Sequence, residues 1–110
     1  MTSHKFLLTY SVSPTETVTE RKKTLANRVR DKIAELEVAG WVKLPDVETT
    51  FAGTIDVTGV SDKDKRDNAA KEVKRVITQA YRDCEATTND VSVNYAMLLS
   101  NAGPAFTFKQ

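Results

Sequence analysis

The stretch Lys5-Phe6-Leu7-Leu8-Thr9-Tyr10-Ser11-Val12 decides the fold class. Phe6, Leu8, Tyr10 and Val12 alternate with Leu7, Thr9 and Ser11. That period of two reads as a strand with the first set facing a core. The punctuation then changes. Ser13-Pro14-Thr15-Glu16 has the layout of a helix start: a capping hydroxyl, a proline suited to the first helical position, and a glutamate that completes a capping box. Thr17-Val18-Thr19-Glu20 offers a second box one turn further on. The helix that follows carries Val18, Leu25, Val29, Ile33 and Leu36 on one stripe. Gly40 stands past its end, where a left-handed cap residue is expected.

From Trp41 to Val60 the period returns to two. Val47, Thr49, Phe51, Gly53, Ile55 and Val57 share one face, and Thr50, Ala52, Thr54, Asp56 and Thr58 the other. This predicts one long strand, preceded by a turn at Pro45-Asp46 and a short partner strand from Trp41 to Leu44. A competing division puts the turn at Ala52-Gly53; the unbroken alternation through Gly53 favours the first. Ser61-Asp62-Lys63-Asp64 caps a second helix, with acids in its first turn. Its buried stripe is Ala69, Val73, Val76, Ile77, Ala80 and Cys84. After the polar segment Thr87-Thr88-Asn89-Asp90 comes a last strand with Val91, Val93, Tyr95, Met97 and Leu99 inward, broken by Asn101-Ala102-Gly103-Pro104. Residues 104–110 form a loose tail or a short edge strand.

The order β-α-β-β-α-β predicts an α+β fold of the ferredoxin-like, split βαβ kind. Right-handed crossovers place both helices on one face of a four-stranded antiparallel sheet. At 110 residues the chain fits one domain, 1–110, with a single core. It is 40% hydrophobic, too apolar for disorder. Sixteen basic residues against 15 acidic ones give a net charge of +1, so no global field gathers nucleic acid or a membrane surface. One cysteine permits no internal disulfide, and the apolar run Phe6-Leu7-Leu8 is too short for a signal peptide. With no run of membrane-spanning length, a cytoplasmic protein is expected.

Catalytic chemistry has little to stand on. His4 is the only histidine, read as a solvated residue at a frayed terminus beside Lys5. Cys84 reads as an inert core thiol, with no neighbouring His in sequence to activate it. Asp46, Glu48 and Asp56 are read as turn and surface carboxylates; only a meeting across a dimer would let them hold Mg²⁺. Gly40, Gly53, Gly59 and Gly103 never cluster as a phosphate loop does. No catalytic residue, metal site or cofactor is expected. Lys71, Lys74, Arg75 and Arg82 on the second helix, and Arg21, Arg28 and Lys32 on the first, form two basic lines suited to phosphates. Glu72, Asp83, Asp31 and Glu35 close by also fit a mixed, solvated surface.

The sheet face away from the helices shows Thr9, Ser11, Thr50, Thr54, Thr58, Ser92 and Asn94, with Leu7, Ala52, Ala96 and Leu98 among them. It lacks the aromatic platforms on which RNA-recognition sheets stack bases. A half-apolar, Thr-rich face suits packing on another sheet, so Leu7, Thr9, Ala52, Thr54, Ala96 and Leu98 are the candidate interface. The element order, the small size and the segment Thr49-Thr50-Phe51-Ala52-Gly53-Thr54 resemble small ferredoxin-like proteins of the GhoS-type antitoxin endoribonucleases and the CRISPR-associated adaptation nucleases. The resemblance implies a dimer that acts on, or sits against, nucleic acid. The adaptation nucleases carry a metal-holding Asp at the end of the first strand; here that strand ends Tyr10-Ser11-Val12-Ser13, without an acid. The function expected first is a non-enzymatic interaction or regulatory domain that pairs with itself or another protein. The alternative is an RNA-binding domain of the antitoxin endoribonuclease type.

Overall fold

The computed structural model describes residues 2–47 and 49–110. Its elements are β1 (Thr2–Pro14), α1 (Glu20–Ala34), β2 (Trp41–Lys43), β3 (Thr50–Val57), α2 (Asp62–Asp83), β4 (Val91–Leu99) and β5 (Phe106–Lys109). The fold is α+β: two helices and one open sheet of five antiparallel strands in the order β2-β3-β1-β4-β5. The four strands expected become five because the tail pairs with the free edge of β4, Tyr95 opposite Phe108 and Met97 opposite Phe106.

β1 is the spine, and its two flanks are staggered. β3 pairs with Thr2 to Thr9, whereas β4 pairs with Phe6 to Pro14. Past the end of β3 pairing, the Arg30 guanidinium donates to the Val12 carbonyl at 2.7 Å and occupies an acceptor that has run out of strand. The continued pairing with β4 also explains why the first helix starts late. Ser13 and Pro14 are held in the ladder, opposite Ser92 and Val91, so they cannot cap a helix. The cap is Thr19, whose Oγ1 accepts from the Lys22 amide. Val18 consequently lies outside the helix and is exposed, not on its stripe. α1 ends at Glu35 in a right-handed conformation, leaving Leu36 beyond the helix.

Gly40 has φ +84°, but it serves the sheet and not the helix end: its carbonyl accepts from the Thr54 amide at 2.9 Å. Gly53 is the other half of this crossing. A Cβ there would lie 1.8 Å from the Gly40 oxygen, so only glycine admits the approach of the two backbones. This is why Gly53 sits within an otherwise alternating strand. β3 itself runs over eight residues and is shorter than the stretch expected from Val47 to Val60. Val47 is exposed where an inward position was expected, because Asp46, with φ +64°, turns the chain just before it.

The inward residues Phe6, Leu8, Tyr10, Val12, Phe51, Ile55, Val93, Tyr95 and Met97 join Leu25, Val29, Ile33, Val73, Val76 and Ile77 from the helices in one core. Trp41 closes its β2 end, edge-on to Phe6 and Phe51. Tyr81, also buried on α2, donates to the Val91 carbonyl at 2.9 Å and ties the helix to β4. Among the described residues, no helix is long and apolar enough to cross a membrane.

Candidate interaction surface

Both helices lie on the inward face of the sheet, so the outward side chains of the strands have no layer over them. The register arranges these side chains in rows. Leu7 stands opposite Leu98 on β4 and opposite Ala52 on β3, and Ala52 stands opposite Val42 on β2. Residues directly opposite in an antiparallel pair point to the same side, with Cβ atoms about 5 Å apart. The row Val42–Ala52–Leu7–Leu98 is therefore a continuous apolar strip across four strands. Val42 is 60% exposed, Leu7 46% and Leu98 49%. A second row, Thr50–Thr9–Ala96–Thr107, flanks it on one side, and Lys5 with Thr54 on the other.

All six interface candidates lie on this surface: Leu7, Thr9, Ala52, Thr54, Ala96 and Leu98. The contribution of Val42 was not legible, because a strand of three residues carries too little alternation to fix which way it faces. Thr50 and Ser92, outward by parity, are nevertheless buried.

The basic residues are placed differently. Arg21 is held by Asp90 at 2.8 Å. That guanidinium, with help from the Thr87 amide and hydroxyl, keeps the Asp90 carboxyl below the usual carboxylate range. Arg28 and Lys32 line a depression of about 390 Å³ together with Asp31, Glu35, Asp83 and Glu85. Arg75 forms a two-pronged pair with Glu72 on its own helix. The Lys74 ammonium sits 6.0 Å over the Phe108 ring. Lys71 and Arg82 point to solvent. Each line is thus interleaved with acids, and four carboxylates meet Arg28 and Lys32 in the one depression.

Two residues stand elsewhere than expected. His4 is not a solvated terminal residue. β1 begins at Thr2, so His4 occupies an inward position opposite Ile55 and is only 3% exposed. Its Nδ1 lies 2.6 Å from the Ser100 carbonyl, so Nδ1 carries a proton and donates it there, while Nε2 is buried with no partner among the described residues. The signal was available: 4 has the parity of 6, 8, 10 and 12. Cys84 is half-buried and not in the core, because it is the residue that caps the end of α2. Burial pushes its thiol pKa up, with Lys32 and Arg28 pulling only weakly the other way, so the reactive thiolate is disfavoured. Burial likewise pushes the Tyr81 hydroxyl up to about 12 and raises that of Tyr95. Both are neutral donors at physiological pH.

Of the acidic trio, Asp56 is exposed at one end of the open face, and Glu48 lies outside the described residues. Among the described residues no group of three or more His, Cys, Asp or Glu gathers as a metal site would require. Comparison with family models, with curated proteins and with solved structures finds no match to this chain.

Proposed function

We propose that this domain is a non-enzymatic interaction module that pairs with a second copy of itself through the open face of its sheet. The observation that carries the reading is the apolar strip Val42–Ala52–Leu7–Leu98. Single exposed apolar residues are ordinary, whereas a contiguous strip rimmed by hydroxyls is typical of a contact surface. Its occupant is argued from shape and charge. The strip is straight and lies on a sheet, so a second sheet packed face to face, rotated by about 30°, matches it. The flanking rows carry threonines, and the charges Lys5 and Asp56 sit diagonally adjacent, so two copies meet without a repelling field.

Area sets the strength. Between the levels of Ser3 and Thr9, β1 and β3 contribute seven residues each, β4 four, β2 three and β5 two; at about 3.4 Å by 4.8 Å per residue the face covers roughly 380 Å². Two such faces bury about 750 Å², below the ~1,000 Å² of a stable specific interface and in the range of weak, transient pairs. A weak dimer follows, with dissociation in the micromolar range or above. Sedimentation velocity over a concentration series tests this. A monomer–dimer equilibrium is expected; a monomer that persists at about 1 mM overturns it.

The element arrangement is read as ferredoxin-like with one added strand. What supports this is that β2-β3-β1-β4 follows the split βαβ order, with β5 appended at the β4 edge. The same order supports the second reading, an RNA-binding domain of the antitoxin type, with exposed Lys71 and Arg82 as its phosphate contacts. That reading expects RNA binding that weakens with salt and with Lys71→Ala and Arg82→Ala; absence of binding at low salt removes it.

A further inference from the structure

At the end of the sheet remote from His4, beyond the strip used for pairing, lies a cleft of about 740 Å³. Its floor comprises Ser13, Ser92, Asn94 and Lys109, carried outward by β1, β4 and β5. Ser13 stands opposite Ser92, and Asn94 opposite Lys109. Its walls are the two loops at Thr15 and Asn89. They are clamped to each other: the Thr15 amide donates to the Asp90 carbonyl at 3.1 Å, and the Thr15 hydroxyl to the Asn89 carbonyl at 2.6 Å. Lys22 stands at the rim, with its ammonium on the Glu16 carbonyl at 2.9 Å.

We propose that this cleft binds a small phosphate ester. The floor presents two hydroxyls, a carboxamide and an ammonium on three adjacent strands, a fixed set of donors matched to the acceptor oxygens of a phosphate. Ser92 is only 8% exposed and stands opposite Ser13, so its hydroxyl lies at the bottom of the cleft. Lys22 and Lys109 against Glu16 leave the lining with a positive balance. No aromatic ring lines it among the described residues, which removes the stacking surface that neutral sugars and bare bases require. The volume lies in the range of small-ligand sites and exceeds what a lone phosphate fills, which is why an ester is favoured over the free ion.

The test is an amide-shift titration of the full chain by nuclear magnetic resonance, with inorganic phosphate, ribose 5-phosphate and ribose at matched ionic strength. Both phosphates are expected to shift the amides of Ser13, Ser92, Asn94 and Lys109, with ribose inert. Tighter binding of ribose 5-phosphate assigns the rest of the cleft to the organic moiety. Equal binding with inorganic phosphate overturns the ester and leaves an anion site only. Asn94→Asp, which sets a carboxylate beside Lys109, is expected to weaken binding at least tenfold while the amides of Leu8 and Val93 keep their positions. Lys109→Ala at the strand edge gives the same reading if Asn94→Asp disturbs the fold. The proposal is overturned by equal shifts with ribose, by no shift at all, or by variants that bind as the parent does.

Discussion

Leu7 and Leu8 are adjacent in the chain and belong to different environments. Leu8 is fully buried beneath the helices; Leu7 is 46% exposed on the other side of the same sheet. The two faces have similar backbones and the same register, since β1 pairs identically for both. They differ in what the second layer is. On the inward face α1 and α2 supply it from within the chain, and burying both stripes stabilises the fold. On the outward face the described residues supply no second layer over the apolar row, whose Leu7, Val42 and Leu98 are exposed. Folding thus uses one face, and the proposed pairing would use the other.

The widest separation between the faces is in stability. Leu8→Ala removes fully buried methyl groups from a packed core and is expected to cost about 2–5 kcal/mol in urea unfolding. Leu7→Ala, on dilute monomer, is expected to cost less than about 1 kcal/mol. Equal costs would mean that the outward face is already covered within a single chain, and the comparison would collapse.

The next separation runs the other way. Leu7→Lys combined with Leu98→Lys places two ammoniums in the apolar strip. Self-association is expected to weaken by a factor of about 100, equivalent to about 2.7 kcal/mol. The melting temperature of the dilute monomer stays within a few degrees, because neither side chain contributes to the core. Sedimentation and thermal melts on the same samples read both quantities. A dimer unaffected by the double variant would place the contact somewhere other than this strip.

The covered face was the more legible of the two, for a physical reason. Burial in a single chain imposes periodicity: alternation in β1 and β4, and the 3.6-residue stripe in α2, were readable because the inward positions from Phe6 to Val12 and from Val91 to Leu99 are all aliphatic, aromatic or Met. What failed were the ends, where pairing partners decide. Ser13-Pro14 fits a helix cap by composition, yet β4 holds it as strand. His4 fits a polar terminus by type, yet β1 extends back to Thr2 and turns it inward. The tail at Phe106 and Phe108 left both outcomes open, since four residues carry too little pattern to show that β4 has a free edge waiting. On the outward face, residue types were visible but their adjacency was not. Val42 joins Leu7 only through two registers, β2 on β3 and β3 on β1.

Gln110 tests the covered face at its margin. Its side chain accepts from the Tyr95 hydroxyl at 2.8 Å and donates to the Lys74 carbonyl and the Thr78 hydroxyl, at 3.2 and 3.1 Å. One amide therefore ties β5, β4 and α2 together. Gln110→Ala is expected to cost about 1–2 kcal/mol, mainly by leaving the buried Tyr95 hydroxyl without an acceptor. Amide hydrogen exchange should quicken in β5 and stay unchanged in β3. A loss spread evenly over the sheet would mean that β5 is integral to the core and not a strand added at its edge.

The smallest effect is electrostatic and separates the two loops at the cleft end from both faces. Arg21 holds the Asp90 carboxyl below its ordinary value. A carboxylate with a lowered folded pKa stabilises the native state above its unfolded value of about 3.9, and that stabilisation is lost as pH falls through the lower folded value. Arg21→Met keeps most of the aliphatic stem and removes the charge. The parent is expected to melt slightly above Arg21→Met at pH 7, and the gap should close on acidification below about pH 4. It should also narrow in high salt, since the guanidinium is two-thirds exposed. A gap that persists at pH 2 would assign the contribution of Arg21 to guanidinium contacts that do not need an ionised Asp90. The clamp on the cleft wall would then rest on Thr15 and its two backbone acceptors alone.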